Sequence, residues 1–354
     1  MRILCIVALL VQSGSVAAAP LFESEEILAI TIEAPMRDLI RKRAEKREYP
    51  AVVRYVDGDG LTGSLDATIS PRGNSRLEAC EFPPLWLEFD RKQVTGTPFE
   101  GQHRLKLVTQ CNRGSRAGTW LLLEYGLYRA YNAVSTYSYR VRKLDVTYQD
   151  TTTSRWQRNT PAFVIEPTSQ VAERHNRVSV RPPGVKPEQL EKLEATKNML
   201  FQFLIANTDF SMKRGPQGEG CCHNGRVLAT AGAEDNWIVL PYDFDQAGII
   251  STDYALPDAR LGIRRVSSRL YRGFCWQNEA LPEAIAVFNE NRDEISLAIT
   301  AEVAAQSQRG RVQKYIDDFY GIINDPRELD TQLIAKCRGV ASFPVRKTVT
   351  AAHE

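Results

Sequence analysis

Long apolar runs are scarce in this sequence of 354 residues. The one near the start, Ile3 to Val11, falls short of the roughly 20 residues that a bilayer-spanning helix needs. No later stretch is apolar enough to cross a membrane. A surplus of one charge is missing too, because 45 Lys and Arg face 43 Asp and Glu for a net charge of +2. Without a broad basic field, a dedicated nucleic-acid binder is disfavoured, and any acidic ligand must be held by local charge. There are only 4 histidines, and neither Gly-x-Ser-x-Gly nor His-Glu-x-x-His occurs, so a hydrolase would have few candidate bases. The rest is an ordinary globular mixture, 43% hydrophobic and 25% charged, which allows one large domain or two moderate ones.

The first residues read as an export signal. Arg2 precedes the short apolar run, and small residues lead to Val16-Ala17-Ala18-Ala19-Pro20, with cleavage expected after Ala18 or Ala19. The mature chain would then be exported, periplasmic or secreted, with no transmembrane segment. It would keep Cys80, Cys111, Cys221, Cys222, Cys275 and Cys337. An even set in an exported protein favours disulfides, and the absence of a Cys-x-x-Cys pair argues against zinc. Count alone does not fix the pairing. Proximity within each half favours Cys80 with Cys111 and Cys275 with Cys337, while adjacent Cys221 and Cys222 are either linked to each other or free.

Periodicity then divides the chain. Residues 27–34, 51–56 and 61–69 read as strands, the last two flanking Asp57-Gly58-Asp59-Gly60, a hairpin signal. Further strands are expected at 85–89, 104–109, 137–148 and 162–165, with helices at 35–46 and 119–134. Arg181-Pro182-Pro183-Gly184 resembles a linker, and Pro187 suits the first turn of one long helix to Asn207. Short strands and loops follow to about residue 250, then helices near 282–306, 309–323 and 327–337. The expected division is a signal peptide at 1–19, a β-rich lobe at 20–180, a helical lobe at 181–339 and a disordered tail at 340–354. A ligand would sit between the lobes.

The chemistry-bearing residues follow in order. Lys106 lies in a strand pattern and Glu124 on the next helix; Asn207-Thr208-Asp209 closes the long helix; His223-Asn224 lies in a loop; Tyr242-Asp243-Phe244-Asp245 follows a strand. A strand lysine paired with a helical glutamate can place nucleotide phosphates, hard oxygen ligands can hold a divalent cation against them, and a separate Asp can orient an acceptor hydroxyl. Arg264, Arg265, Arg269 and Arg272 could meet an acidic acceptor or form a solvated basic loop.

Arg72-Gly73-Asn74-Ser75-Arg76, Leu105-Lys106-Leu107, the tyrosine-rich helix to Tyr131-Asn132 and the Asn207 to Asp245 stretch together resemble the CotH family of exported atypical kinases, over roughly residues 66–250. A looser likeness runs to HipA-type kinases. The resemblance implies an α+β, bilobal protein-kinase-like fold, with a β-rich N-lobe and a mainly helical C-lobe. It also implies ATP with Mg²⁺ or Mn²⁺ and phosphate transfer to a protein Ser/Thr or another hydroxyl. By matching, Asp209 would be the catalytic base, and Lys106, Glu124 and Arg72 would serve the nucleotide. Asn224, Asp243 and Asp245 would serve the metal, with spacing leaving open which aspartate binds. No glycine-rich loop is assigned to the phosphates; Arg72 and Arg76 are the charge partners expected there. ATP is scarce outside a cytoplasm, so the alternative is a catalytically inactive binding or envelope-associated module.

Overall fold

The computed structural model describes residues 20–56 and 60–339. The expected signal peptide, the residues Asp57, Gly58 and Asp59 of the hairpin turn, and the expected disordered tail lie outside these. Seven strands close into a barrel: β1 (Leu28–Ala34), β2 (Tyr49–Val56), β3 (Thr62–Pro71), β4 (Leu85–Phe89), β5 (Arg104–Thr109), β6 (Val141–Asp150) and β7 (Gln157–Ile165). Their order is β1-β2-β3-β4-β5-β7-β6. Every neighbouring pair is antiparallel except β6 against β1, which closes the ring in parallel. Side chains alternate across a strand, so Ile30, Ile32, Val53, Leu87, Leu105, Leu107, Val146 and Val164 fill the barrel.

The opposite face of β5, β6 and β7 is also apolar. Val108, Val141, Phe163 and Ile165 belong to a second core shared with the helices. One sheet wall therefore serves two cores, and α3 (Ser115–Val134), inserted between β5 and β6, packs against its outer side. Most of α3 is buried all round, as expected of a helix placed between layers. At its crossing with α7 (Arg292–Thr300), a Cβ on Gly126 would come within 2.6 Å of the Ala298 carbonyl oxygen, so glycine permits the approach.

The remaining helices are α1 (Met36–Arg41), α2 (Ser75–Ala79), α4 (Thr168–Arg174), α5 (Lys192–Leu204), α6 (Leu281–Glu290), α8 (Gln306–Asn324) and α9 (Pro326–Gln332). A second, three-stranded antiparallel sheet holds β8 (Val178–Val180), β9 (Gly225–Ala229) and β10 (Ile238–Pro241), with β9 in the centre. No helix among the described residues is long and apolar enough to cross a membrane.

This architecture corrects the expectation of an α+β, bilobal protein-kinase-like fold. The β-rich half is a closed, mixed seven-strand barrel joined to a small sheet and helices, not the sheet-built lobe of a kinase. Local alternation reads the same in open and closed sheets, and the deciding pair, Leu28–Ala34 against Leu144–Asp150, joins segments more than a hundred residues apart. The helix expected from Pro187 to Asn207 is also shorter. After a turn of 3₁₀ helix the chain extends at Leu190, and the Glu191 side chain caps α5 by accepting from the Leu193 and Glu194 amides.

Disulfides join Cys80 to Cys111, with Cα atoms 4.7 Å apart, and Cys275 to Cys337, at 4.9 Å. Cys221 is linked to its neighbour Cys222.

Candidate functional site

Strand parity decides where Lys106 goes. Leu105 and Leu107 point into the barrel, so Lys106 points out of it, toward the helical half. There its ammonium lies 4.3 Å from the centre of the Tyr242 ring and 6.0 Å from that of Tyr139. Arg226 of β9 approaches the Tyr242 ring to 4.7 Å. Arg72, just past β3, lies 5.4 Å from the ring of Trp86 and lines a crevice with Tyr128, Tyr242 and Asp243. Burial, then the neighbouring Arg72 and Arg226, push the Lys106 ammonium down to about 7. Burial and the nearby Asp245 carboxylate hold Asp243 above the usual carboxylate range.

The segment after β10 carries unusual backbone. Asp243 has a φ of 64° and Asn224, whose carbonyl accepts from the Tyr242 amide, a φ of 49°. The left-handed region is sparsely used by residues other than glycine, and such outliers gather at functional sites. The Asp243 amide is fixed by donating to the Tyr128 hydroxyl at 2.8 Å.

A second cluster centres on Asp209, just beyond α5. Asn224 Nδ2 donates to its Oδ2 at 2.9 Å, Gln246 Nε2 donates to the same oxygen at 2.8 Å, and His223 Nε2 lies 2.8 Å from Oδ1. The hydrogen bond to Asp209 holds the His223 imidazole above its ordinary range. Arg272 pins the turn from below by donating to the Thr208 and Phe210 carbonyls at 2.6 and 2.7 Å. Arg269 likewise donates to backbone oxygens, of Leu204 and Tyr315. Both arginines are thus committed to the fold.

A third cluster is closed. Arg76 of α2 is buried and donates to Glu124 of α3 at 2.5 Å and to Asp245 at 2.8 Å. Two buried carboxylates facing one guanidinium leave Glu124 pushed up to about 7, chiefly by desolvation.

The structure therefore distributes the candidate residues as follows. Arg72 and Asp243 line the crevice, and Lys106 lies within electrostatic reach of both. Asp209 and Asn224 meet each other beside it, linked to the same segment through Gln246 and Tyr242. Glu124 and Asp245 are tied to Arg76, and Glu124 does not pair with Lys106. Arg226, Tyr242, His223 and Gln246 join the site without having been assigned a role from sequence. An arginine in the otherwise apolar strand Gly225–Ala229 was the available signal for the first. The spacing Gly58-x-Gly60-x-x-Gly63 does occur in the sequence, its last glycine falling within β3. Arg72 follows the opposite end of that ten-residue strand, about 30 Å from Gly63 at ~3.3 Å per residue, so Gly63 does not reach the crevice.

The donor set fits the phosphate end of a nucleotide: Arg72, Lys106 and Arg226 stand near Asp243, the other two carboxylates of the crevice, Glu124 and Asp245, are bound to Arg76, and Arg and Lys are the usual phosphate partners. It does not fit a resident divalent cation. Among the described residues no group of three or more His, Cys, Asp or Glu could hold a metal. Asp245 Oδ2 already accepts from Arg76, and the Asn224 amide is turned to Asp209. Sequence comparison adds no assignment: no family model matches the chain, and no curated protein matches it.

Proposed function

We propose that this chain is an exported phosphotransferase of CotH-like chemistry, moving phosphate from a nucleotide such as ATP to a hydroxyl of a protein Ser/Thr or another acceptor. The observation that carries this reading is the gathering of Lys106 and Arg226 on the Tyr242 ring, with Arg72 close enough to lower the Lys106 ammonium, and the Asp209 carboxylate with its three nitrogen partners on the adjoining segment. Lys106, Arg72 and Arg226 hold the donor phosphates, and Asp243 keeps the ammonium oriented in the crevice. Asp209, positioned by Asn224, Gln246 and His223, takes the proton of the acceptor hydroxyl. That oxygen bonds to phosphorus while the bond to the donor's leaving phosphate breaks, and the shortened nucleotide departs with the electron pair. No step is assigned to a metal.

A second reading, phosphate-ester binding without turnover, is favoured by one feature: Glu124 and Asp245 are both ion-paired to Arg76, and no cluster of three or more potential metal ligands is assembled among the described residues. The test uses the purified chain, ATP and a Ser/Thr peptide library. Asp209→Asn should cut phosphate incorporation by about 10²–10⁴-fold, the usual contribution of a general base, with calorimetric ATP affinity unchanged. ATP binding with no incorporation in the wild type would leave the binding module. No ATP binding at all would remove both readings.

A further inference from the structure

We propose that a groove between α3 and α8, separate from the crevice, is a docking surface for an acidic, apolar segment of a partner protein. The groove has a volume of ≈ 600 Å³. Its floor is apolar, formed by Trp120 of α3, Ile249 and Ile250 of the loop beyond Gln246, and Val312 of α8. Two exposed arginines line it, Arg116 and Arg311, and no carboxylate does.

The charges around it are what commit the groove to one kind of occupant. Along α8, Lys314 pairs with Asp318 and Arg309 donates to the Val303 carbonyl. On α3, Arg129 pairs with Glu25. Arg269 and Arg272 are spent on backbone oxygens. Arg116 and Arg311 are the exceptions: neither is in an ion pair among the described residues, and Arg116 rests 5.1 Å from the centre of the Trp120 ring. Cations without anions beside an apolar floor are complementary to a chain that brings carboxylates on either side of large apolar side chains. The chain's own residues 340–354 carry Arg346 and Lys347 against Glu354, the wrong charge balance for this surface.

The floor is also joined to the Asp209 cluster. Gly248 N donates to the Ala206 carbonyl and Ile249 N to that of Ile205, both at 3.1 Å, directly before Asn207–Asp209. An occupant therefore presses on the two segments that carry Asp209 and Gln246. The docking itself does not depend on phosphate transfer.

The probe is a fluorescein-labelled dodecapeptide with glutamates at both ends around leucine and phenylalanine, compared with the same peptide carrying lysines in place of glutamates. Fluorescence anisotropy should show saturable binding of the acidic peptide alone. The double variant Arg116→Glu, Arg311→Glu should weaken it by about tenfold or more and gain affinity for the lysine peptide, as a charge swap requires. Arg311→Gln, a mild change at an exposed position, should produce a smaller loss with an unchanged melting temperature. Equal binding of both peptides, or unchanged acidic-peptide affinity in the variants, would overturn the proposal. So would a concentration-dependent dimer of the wild type that the double variant abolishes, since the occupant would then be a second copy.

Discussion

Two charge clusters flank the short segment Asp243–Asp245, built from the same residue types yet differently disposed. Around Arg76, one cation meets two carboxylates, all three are buried, and the hydrogen bonds join α2, α3 and the loop after β10. Around Asp243, the cations Lys106, Arg72 and Arg226 gather; Lys106 and Asp243 are strongly desolvated, yet all four residues keep some exposed surface, unlike the Arg76 group. The first cluster is saturated and acts as a tether. The second has more cations than ion-paired carboxylates and retains exposed surface. Burial and partner count, rather than the presence of Arg, Asp or Glu, separate the tether from the site.

Removing Arg76 should break the comparison most forcefully. Arg76→Met leaves Glu124 and Asp245 buried without their cation and should cost about 3–5 kcal/mol, read from the urea midpoint. Additional loss of both carboxylates, as Glu124→Gln and Asp245→Asn, should restore much of that stability if the tether is the cause. Lys106→Met should do the opposite. The fold should lose little, because a strained cation is replaced by an apolar chain of similar length. ATP affinity should fall by about tenfold to a hundredfold, the value of one charge-assisted contact, as measured by calorimetry.

The smallest effect is a pH slope. Lys106 titrates near 7 when folded against an ordinary 10.5, so between those values the unfolded chain holds a proton that the folded chain has released. Stability from this group therefore rises with pH across that window. Glu124, raised from 4.5 to about 7, has the opposite sign: the folded chain holds the extra proton between those values, and its contribution falls as pH rises through them. Lys106→Met should flatten only the alkaline limb of the stability–pH curve, and Glu124→Gln only the acidic limb. A binding anion should also draw a proton onto Lys106 at pH 8, detectable as buffer-dependent binding heat. A wild-type curve already flat above pH 7 would contradict the shielding assigned to Lys106.

Much of the local structure was legible from sequence because its causes are local. Alternation marked strands at 85–89 and 104–109, the Asp-Gly pair predicted the β2–β3 hairpin, and two cysteine pairs within their own halves predicted two disulfides. Strand parity even places Lys106 opposite to Leu105 and Leu107, once it is known which face is enclosed. The partner of Glu124 was not legible. Lys106 was the cation expected, because a strand lysine before a helical glutamate is a familiar order, but Arg76 lies closer in space on a five-residue helix with little periodic signal. Arg226 and Tyr242 were passed over for the same reason: their importance comes from facing Lys106 across a cleft that sequence spacing does not measure.

The sequence by itself determined which segments alternate, which cysteines stand near one another, and which residues carry charge. These follow from the side-chain period of a strand or helix and from chemistry a few residues long. Only the tertiary structure decided that β6 closes on β1 to make a barrel, that Arg76 takes two carboxylates out of play, and that Arg116 and Arg311 form no ion pair among the described residues. Each depends on pairing across more than a hundred residues or on the balance of charges within a few ångströms, and neither quantity is encoded in neighbouring letters of the chain.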